Sequence, residues 1–262
     1  MNLRITAALA LLTLGAGAHA ASLSATGYAQ NFNGMGTGNV APEGWSVLTG
    51  NSGTSNSTWT TTIPGNGSNS VASLVATNGV LAVVTTPTGT NNNGFNAAAS
   101  ASSTADRVLA TSPTTVSGGA LQLSLSNDTG YAFDSLTVSY DTYRFTTATT
   151  ANELPGYWLF YSLDGSSWTN VAALNPTLST VPNTVGVSSF SSVVTLGASV
   201  AAGQSLWLRW VDDNARQTSP DQIIGLDNVS IAATAPVPEP STYALLMLGL
   251  GAVGVAARRR AR

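Results

Sequence analysis

The chain has 262 residues, neither cysteine nor lysine, and a formal net charge of −3 at pH 7. Without cysteine there are no disulfide staples and no thiol catalysis, so a hydrophobic core must hold the fold together. The acidic balance argues against nucleic acid as a partner, because phosphate binding needs clustered positive charge.

The first twenty residues predict a secretory signal peptide. Arg4 begins a short positive region, an apolar run follows over 5–17, and Ala18-His19-Ala20 offers an A-x-A cleavage site. Cleavage there removes the only histidine and leaves eleven acidic residues and four arginines before residue 237, a charge of about −7. The sequence thus predicts a signal peptide over 1–20 and a cargo domain over 21–233.

The stretch 31–115 is rich in Gly, Asn, Ser, Thr and Ala and almost free of charge. Short strands are predicted over 44–48, 57–61 and 80–85, where aromatic and aliphatic residues interrupt the polar background. Asn66-Gly67 and the run 91–94 predict turns, since Asn and Gly tolerate positive φ. We expect long surface loops in this stretch.

The strand pattern is clearer from residue 120 onwards. Apolar and polar residues alternate over 121–125, 135–140 and 206–210, which places one face on a core and one in water. The run 157–161 is apolar on both faces, and 225–231 closes the domain. No stretch of the cargo has a helical stripe. Many short strands with frequent turns predict an all-β sandwich, of jelly-roll type.

One hairpin is predicted around Asp164-Gly165, which lies between two apolar runs. The stretch 161–168 is similar to the Asp-box turn of sialidases, although its spacing departs by one residue and it occurs once. The structural interpretation, with Trp168 folded back over the turn, is favoured over a functional one.

A cluster of acidic and amide residues follows the strand 206–210. If that strand pairs with 225–231, the cluster converges and offers the oxygen ligands that Ca²⁺ prefers. A solvated acidic loop, with Arg209 and Arg216 as ion partners, is the plainer alternative, and a carboxylate-dependent glycoside hydrolase is a third. The candidate calcium ligands are Asp212, Asp213, Asn214 and Asp227, with Asp221 nearby.

The residues available leave little room for catalysis. A cargo without His or Lys lacks the usual base for serine hydrolysis and the histidine of common zinc sites. We therefore predict no enzymatic activity and name no catalytic residue. Aromatic faces beside amides and hydroxyls suit a sugar-binding surface, and Trp207, out of step with Trp210, is predicted to point outwards as a glycan-binding residue.

The C-terminal segment has three parts in order. Val237-Pro238-Glu239-Pro240 lies in a linker over 234–242, an uncharged apolar run follows over 243–257, and an arginine-rich tail occupies 258–262. The apolar run predicts a transmembrane helix, and the arginines predict a cytoplasmic end. An ordinary single-span anchor is the plainer alternative.

These three parts together resemble the PEP-CTERM sorting tail of Gram-negative bacteria. The resemblance implies an exosortase-type membrane protease as partner and Val237, Pro238, Glu239 and Pro240 as its recognition motif. The cargo also resembles the jelly-roll domains found before such tails, which have no general activity. We expect a protein exported through an inner-membrane intermediate to the cell surface or the exopolysaccharide matrix. A carbohydrate-binding module, stabilised by Ca²⁺ or not, is the alternative, with exopolysaccharide as partner.

Overall fold

The computed structural model describes residues 19–50, 71–85, 92–113, 116, 118–147, 156–213, 222–236 and 240–260. Most of the regular structure in these residues is β-strand, as predicted. The strands are β1 (Ala21–Ser24), β2 (Tyr28–Gln30), β3 (Trp45–Thr49), β4 (Val75–Ala76), β5 (Ala82–Val84), β6 (Asn92–Ser100), β7 (Ser103–Ser112), β8 (Gly118–Asp128), β9 (Phe133–Arg144), β10 (Trp158–Ser162), β11 (Thr169–Asn170), β12 (Gly186–Val200), β13 (Ser205–Asp213) and β14 (Ile224–Ala233). A helix, α1 (Pro240–Arg260), follows them.

The strands form two seven-stranded sheets. Sheet A has the order β11-β10-β13-β8-β3-β4, with β1 beside β8. Sheet B has the order β12-β9-β14-β7-β6-β5, with β2 beside β14. From β8 onwards the chain crosses between the sheets at nearly every connection. The predicted all-β sandwich of jelly-roll type is therefore confirmed.

The alternation read from the sequence sets the inner face of each sheet. Leu121, Leu123 and Leu125 of β8 lie opposite Trp210, Leu208 and Leu206 of β13, and all six are buried. From sheet B, β9 contributes a matching apolar row to the same core. Burial of these rows between the sheets is the main stabilising term of the fold.

Aromatic rings join the two sheets through the middle of the core. Trp45 of sheet A stacks on Trp210 at 5.3 Å between ring centroids, and Trp210 meets Tyr140 of sheet B edge-on at 5.8 Å. Phe32 and Phe190 extend this column at its two ends. Trp45 and Trp210 are thus core residues, which is the usual place for tryptophan in a sandwich.

The strand predictions hold in the second half of the chain and fail in part of the first. The predicted strands at 44–48, 121–125, 135–140, 157–161, 206–210 and 225–231 are confirmed within β3, β8, β9, β10, β13 and β14. The strand predicted at 80–85 is shorter than expected, because only the three residues of β5 form it. The strand predicted at 57–61 and the turn predicted at 66–67 lie outside the described residues.

The expectation of long loops is wrong over 92–112, where β6 and β7 form a hairpin in sheet B. β6 begins at Asn92, so the turn predicted there is also wrong. Its Asn96 is buried, accepting a hydrogen bond from Arg107 Nε (2.7 Å) and donating to the carbonyl oxygens of Gly36 (3.1 Å) and Gly38 (2.7 Å). Tertiary hydrogen bonds therefore outweigh the weak strand propensity of this Asn- and Ala-rich segment.

The hairpin around Asp164-Gly165 is confirmed between β10 and β11. The Asp164 carboxylate accepts hydrogen bonds from the backbone N–H groups of Ser166 (2.8 Å) and Ser167 (2.6 Å), which lowers its pKa well below the usual range. Gly165 has a positive φ of 73°, as the turn requires. The hydrogen bonds of Asp164 and the positive φ of Gly165 therefore account for both residues as parts of the turn.

Residues 243–257 lie within α1, so a helix in the predicted place is confirmed. In the part of the chain that the structure describes, no helix is long and apolar enough to cross a membrane. The prediction over 243–257 is thus confirmed as a helix and not as a membrane span.

The three clusters of buried hydrophobic residues draw all their described members from the stretch 21–231. Helix α1 supplies none of them, and its described apolar side chains, among them Leu246 and Val253, are exposed. A chain that ends at residue 236 therefore carries the whole described core, and we expect it to fold without the helix.

Candidate functional site

The acidic residues predicted to form a calcium site do not come together. The prediction required β13 to pair with β14, but β13 belongs to sheet A and β14 to sheet B. Asp212 lies between the sheets, whereas Asp227 lies on the outer face of sheet B, because it is paired with Asp141 and out of step with the buried Leu226. One sheet therefore separates the two carboxylates, and they cannot hold one ion or flank one glycosidic bond.

Asp212 is a buried structural acid. Its carboxylate accepts a hydrogen bond of 2.5 Å from the hydroxyl of Thr111 on β7, which links sheet A to sheet B. The hydroxyl of Thr111 also lies 3.1 Å from the hydroxyl of Tyr157. The Tyr157 hydroxyl in turn donates a hydrogen bond to the carbonyl oxygen of Ile224 at 3.0 Å. Burial and the charge of Asp212 raise the pKa of Tyr157, so the phenol stays protonated and serves this network as a donor.

Asp227 belongs to a second group of acids. It is 1% exposed, lies opposite Asp141 in the ladder, and accepts the N–H of Asn228 at 2.7 Å. Burial, with Asp106 and Asp141 nearby, raises its pKa to about 7. Asn228 has a positive φ of 49° at a bulge and donates to Asp141 at 2.8 Å. Burial, with a smaller contribution from the same acids, raises the pKa of Tyr143 to about 12.

Among the described residues, no three or more His, Cys, Asp or Glu side chains are placed to hold a metal ion. Asn214 and Asp221 lie outside the described residues, as does the side chain of Asp213. The predicted convergence of Asp212, Asp213, Asn214 and Asp227 on Ca²⁺ is therefore wrong for Asp212 and Asp227, because their strands belong to different sheets.

Trp207 points outwards, as predicted. It is half-buried on the outer face of sheet A, since its neighbours Leu206 and Leu208 face the core. Ser162 and Ser124 are its partners on the two adjacent strands. Gly165 packs against the indole, and a Cβ at Gly165 would lie 3.6 Å from its ring atoms. The hairpin turn thus holds one edge of Trp207, which leaves an aromatic surface bordered by hydroxyl groups.

The next row on this face contains Arg209 and Gln122. The Nε of Arg209 donates to Gln122 Oε1 at 2.6 Å, its Nη1 donates to the carbonyl of Val71, and its guanidinium lies 3.8 Å above the ring of Trp168. Burial lowers the pKa of Arg209 to about 10, so it remains charged at neutral pH. Arg209 fixes the Gln122 amide and Trp168, and its charge is tied up within the protein.

An open groove of about 750 Å³ continues this face towards β3 and β4. It shares Ser124 and Gln122 with the surface around Trp207. The rest of its polar lining includes a carboxylate and three uncharged groups, from Glu43, Ser46, Thr77 and Asn78, and Val40 and Val80 form an apolar wall. His19, which precedes the predicted cleavage site, also lines the groove.

We define the outer face of sheet A from Trp207 through Ser124 and Gln122 to the groove as the Trp207 face. Its polar groups are mostly hydroxyls and amides, which can both donate and accept hydrogen bonds. Its lining contains one described carboxylate, Glu43, whereas acid and base catalysis of glycoside hydrolysis uses two.

The sequence indicated Trp207 through strand alternation but gave no sign of the groove beside it. Glu43, Thr77, Asn78 and Gln122 come from distant stretches and lie together only through the pairing of β3 with β4 and β8. Alternation in β8 could have placed Gln122 and Ser124 on the outer face, because Leu121, Leu123 and Leu125 point inwards.

The predicted sorting residues adjoin the helix. Val237, Pro238 and Glu239 lie outside the described residues, and Pro240 is the first residue of α1. Proline suits this position, because its missing N–H is not needed in the first turn of a helix. Three arginines occupy the last turn of the same helix.

The described part of the chain is thus a β-sandwich followed by a basic-ended helix, and this order defines a folded cargo with a C-terminal tail. Residues 236–260 match the model of the PEP-CTERM protein-sorting motif. The chain therefore carries a PEP-CTERM sorting motif, as the sequence predicted, and this motif marks an exported protein. A search among curated proteins gave no match.

Several solved structures are similar at low identity. The CBM22-1 xylan-binding domain from Paenibacillus barcinonensis is 9% identical, with 80% of this chain and 95% of that one covered and a TM-score of 0.36. An arabinose-bound α-L-arabinofuranosidase is 13% identical, with 52% and 20% covered and a TM-score of 0.34. CBM22-1 and GH10 modules of a Clostridium thermocellum xylanase are 10% identical, with 81% and 28% covered and a TM-score of 0.28. Likenesses this distant assign neither a ligand nor a reaction to this chain.

Proposed function

We propose that this protein is exported to the cell surface or the exopolysaccharide matrix, where the Trp207 face binds neutral polysaccharide without cleaving it. A sugar ring has an apolar C–H face and a rim of hydroxyls. The half-buried indole of Trp207 can pack against the C–H face of the sugar, and the amides and hydroxyls around it can form hydrogen bonds with the sugar hydroxyls. The observation that carries the proposal is that Trp207 and the groove are continuous through Ser124 and Gln122.

The charge of the domain supports a neutral ligand. The chain from 21 to 236 carries about −7, and the arginine nearest to Trp207 is engaged by Gln122, Val71 and Trp168. An anionic polysaccharide would therefore meet net repulsion and, among the described residues, no free guanidinium on this face. A neutral chain of hexoses or pentoses avoids that repulsion.

The test is binding of residues 21–236 to xylan, mannan and hydroxyethyl cellulose in affinity electrophoresis, with alginate as the anionic comparison. We expect saturable retardation in at least one neutral gel and none in alginate. Trp207→Ala should abolish the retardation, and Trp207→Phe should keep part of it, because a smaller ring still offers an apolar face. Equal migration of all three proteins in every neutral gel would refute glycan binding by this face.

For the tail, the proposal is that an exosortase-type protease recognises Val237, Pro238, Glu239 and Pro240 during export. A proline on each side of Glu239 disfavours a continuous helix through this point, which favours an extended and accessible segment.

Expression in a Gram-negative host with an exosortase tests this part separately. Replacement of Pro238, Glu239 and Pro240 by alanine should leave a full-length chain in the membrane fraction. Thr234→Ala, three residues before the motif, serves as the control and should be processed normally. Normal processing of the triple variant would refute recognition through Pro-Glu-Pro.

A further inference from the structure

The four ends of the two sheets differ greatly in length. Three of them are the short strands β4, β5 and β11, with two or three residues each. The fourth is β12, which has fifteen residues, Gly186–Val200. Natural sheets commonly keep exposed edges short or charged, because an open edge is a template for pairing with another chain. β12 departs from this rule.

β12 is a firm edge. It pairs with β9 in unbroken register from Gly186 to Thr195 and anchors Phe190, Val194 and Leu196 in the core. In an antiparallel ladder, alternate residues direct their N–H and C=O groups away from the paired neighbour. Over Gly186–Thr195, where the register is unbroken, about half of the backbone groups of β12 therefore face outwards from the end of sheet B.

The sequence of β12 contains none of the usual protections of an edge. It has no charged residue and no proline over its fifteen positions. Its outward side chains are small or apolar, and Val187 and Val193 are 49% and 62% exposed. The domain carries about −7 overall, so copies of it repel one another over most of their surface. β12 itself adds no charge to that repulsion, and the acid beside it, Asp141 of β9, accepts a hydrogen bond from the Ser189 hydroxyl at 2.6 Å.

We infer that β12 pairs with β12 of a second copy of this chain, antiparallel, so that the two B sheets form one continuous sheet across a two-fold axis. Pairing about Ser191 sets Val187 opposite Thr195, and Ser189 opposite Val193. Such cross-strand pairs of β-branched and hydroxyl residues are favourable. The other end of sheet B, β5, has three residues, so the arrangement closes as a dimer and does not extend into a fibre.

A second copy fits this edge better than a foreign peptide. Peptides that add a strand obtain specificity from pockets for alternate side chains. Neither the groove of the Trp207 face nor the smaller cavity beside Asn228 includes a residue of β12. Backbone hydrogen bonds and an uncharged self-complementary strand remain, and a copy of the same strand supplies both.

Sedimentation velocity of residues 21–236 between 1 and 100 µM tests the inference. We expect a concentration-dependent dimer for the native sequence and a monomer throughout for Val193→Lys, since a lysine facing its neighbours introduces charge at the edge. Ser230→Lys is the matched control, on an exposed position of the inner strand β14, and should dimerise as the native chain does.

Two results would overturn the inference: a native chain that stays monomeric, or a Val193→Lys variant that dimerises as strongly as Ser230→Lys. Circular dichroism and a thermal melt establish whether each variant is folded. If Val193→Lys does not fold, hydrogen exchange of the native chain replaces it, and the β12 amides should gain protection as the concentration rises. Unchanged exchange of those amides would also overturn it. Because Trp207 lies on the other sheet, Trp207→Ala should dimerise normally, which separates this test from that of glycan binding.

Discussion

The outer face of sheet A around Trp207 differs from the outer face of sheet B around β9 and β12. On sheet A, the outer face carries Trp158, Trp168, Trp207 and a buried Arg209, and it borders an open groove. On sheet B, the outer face around β9 and β12 is mostly serine and threonine, interrupted by the acids near Asp227. Both sheets present the same kind of apolar row inwards.

The difference indicates that the residues that form the core and the residues that serve the proposed functions are different sets in this protein. The inward-facing apolar rows stabilise the sandwich and are of a kind that any jelly roll needs. The outward-facing residues distinguish this chain. Aromatic and amide groups on sheet A suit a ligand with apolar and hydroxyl surfaces. The long uncharged edge of sheet B suits its own copy. Each prediction below changes one outer face or the packing of the sheet that supports it.

The largest expected effect is a loss of stability from a change in the packing of sheet A. Gly44, just before β3, has a φ of 81°, and a Cβ there would lie 2.7 Å from the Cβ of Ala21 and 2.9 Å from the carbonyl oxygen of Ser124. Gly44→Ala should therefore destabilise the fold by roughly 3 kcal/mol or more, measured by urea denaturation.

Gly130 is the matched control for Gly44. Its φ is 85°, but nothing lies within 4 Å of the added carbon. Gly130→Ala should show only the backbone strain of about 1–2 kcal/mol. Equal losses of stability in the two variants would contradict the crowded packing of β1 against β3 and β8.

A smaller effect is expected on the outer face of sheet B. The raised pKa of Asp227, about 7, means that the folded state binds its proton more tightly than the unfolded state does. Stability contributed by this group is present below pH 4 and is lost as the pH rises through 7. Asp227→Asn should remove that loss, while its amide oxygen can still accept the N–H of Asn228.

We expect Asp227→Asn to be more stable than the native chain by roughly 1–2 kcal/mol at pH 8, and no more stable at pH 4. Thermal melts of both proteins across this range measure the difference. Asp134→Asn is the control, on an exposed position of β9. A native chain whose stability rises from pH 4 to pH 8, relative to Asp227→Asn, would contradict the assigned protonation.

On the Trp207 face, Gln122→Ala should weaken glycan binding about three- to tenfold, which corresponds to roughly 0.6–1.4 kcal/mol. The change removes an amide that lines the groove and also the acceptor for Arg209 Nε. Ser126→Ala, on the same strand beyond the groove, should leave the affinity unchanged. Equal affinities of the two variants would place the ligand outside the groove.

The smallest effect is expected from Asp164→Ala. The variant leaves the N–H groups of Ser166 and Ser167 without their acceptor in the turn that packs on Trp207. The melting temperature should fall slightly, and glycan affinity should fall less than in Gln122→Ala. Acid should reproduce the loss of stability, because a carboxyl with a lowered pKa stabilises the fold above its unfolded pKa and less as the pH falls.

The sequence predicted the elements that follow a local pattern. Alternation identified β8, β9 and β13, the Asp-Gly pair identified the hairpin, and the tail was recognised from three adjacent parts. Sheet membership is a long-range property, so nothing local could show that β13 and β14 lie in different sheets. That one assumption brought Asp212 and Asp227 together in the prediction and led to the calcium site.

Other features depended on partners far away in the chain. The strand β6 is held by its pairing with β7 and by hydrogen bonds from Asn96 to carbonyl groups about sixty residues earlier, which its own Asn- and Ala-rich sequence does not reveal. The groove likewise joins segments around residues 43, 78 and 122. Within the candidate site, Trp207, Gln122 and Ser124 had a local signal, since an outward residue between two inward leucines is visible in the alternation.

The central claim is that the Trp207 face, and not sheet B, binds the glycan. Isothermal titration of residues 21–236 with the best neutral polysaccharide tests it most directly, using the native chain, Trp207→Ala and Tyr143→Ala. Tyr143 is a half-buried aromatic residue on the outer face of sheet B, which makes it the matched control. We predict at least a tenfold loss of affinity for Trp207→Ala and native affinity for Tyr143→Ala. Native affinity in Trp207→Ala, or a loss in Tyr143→Ala alone, would contradict the account.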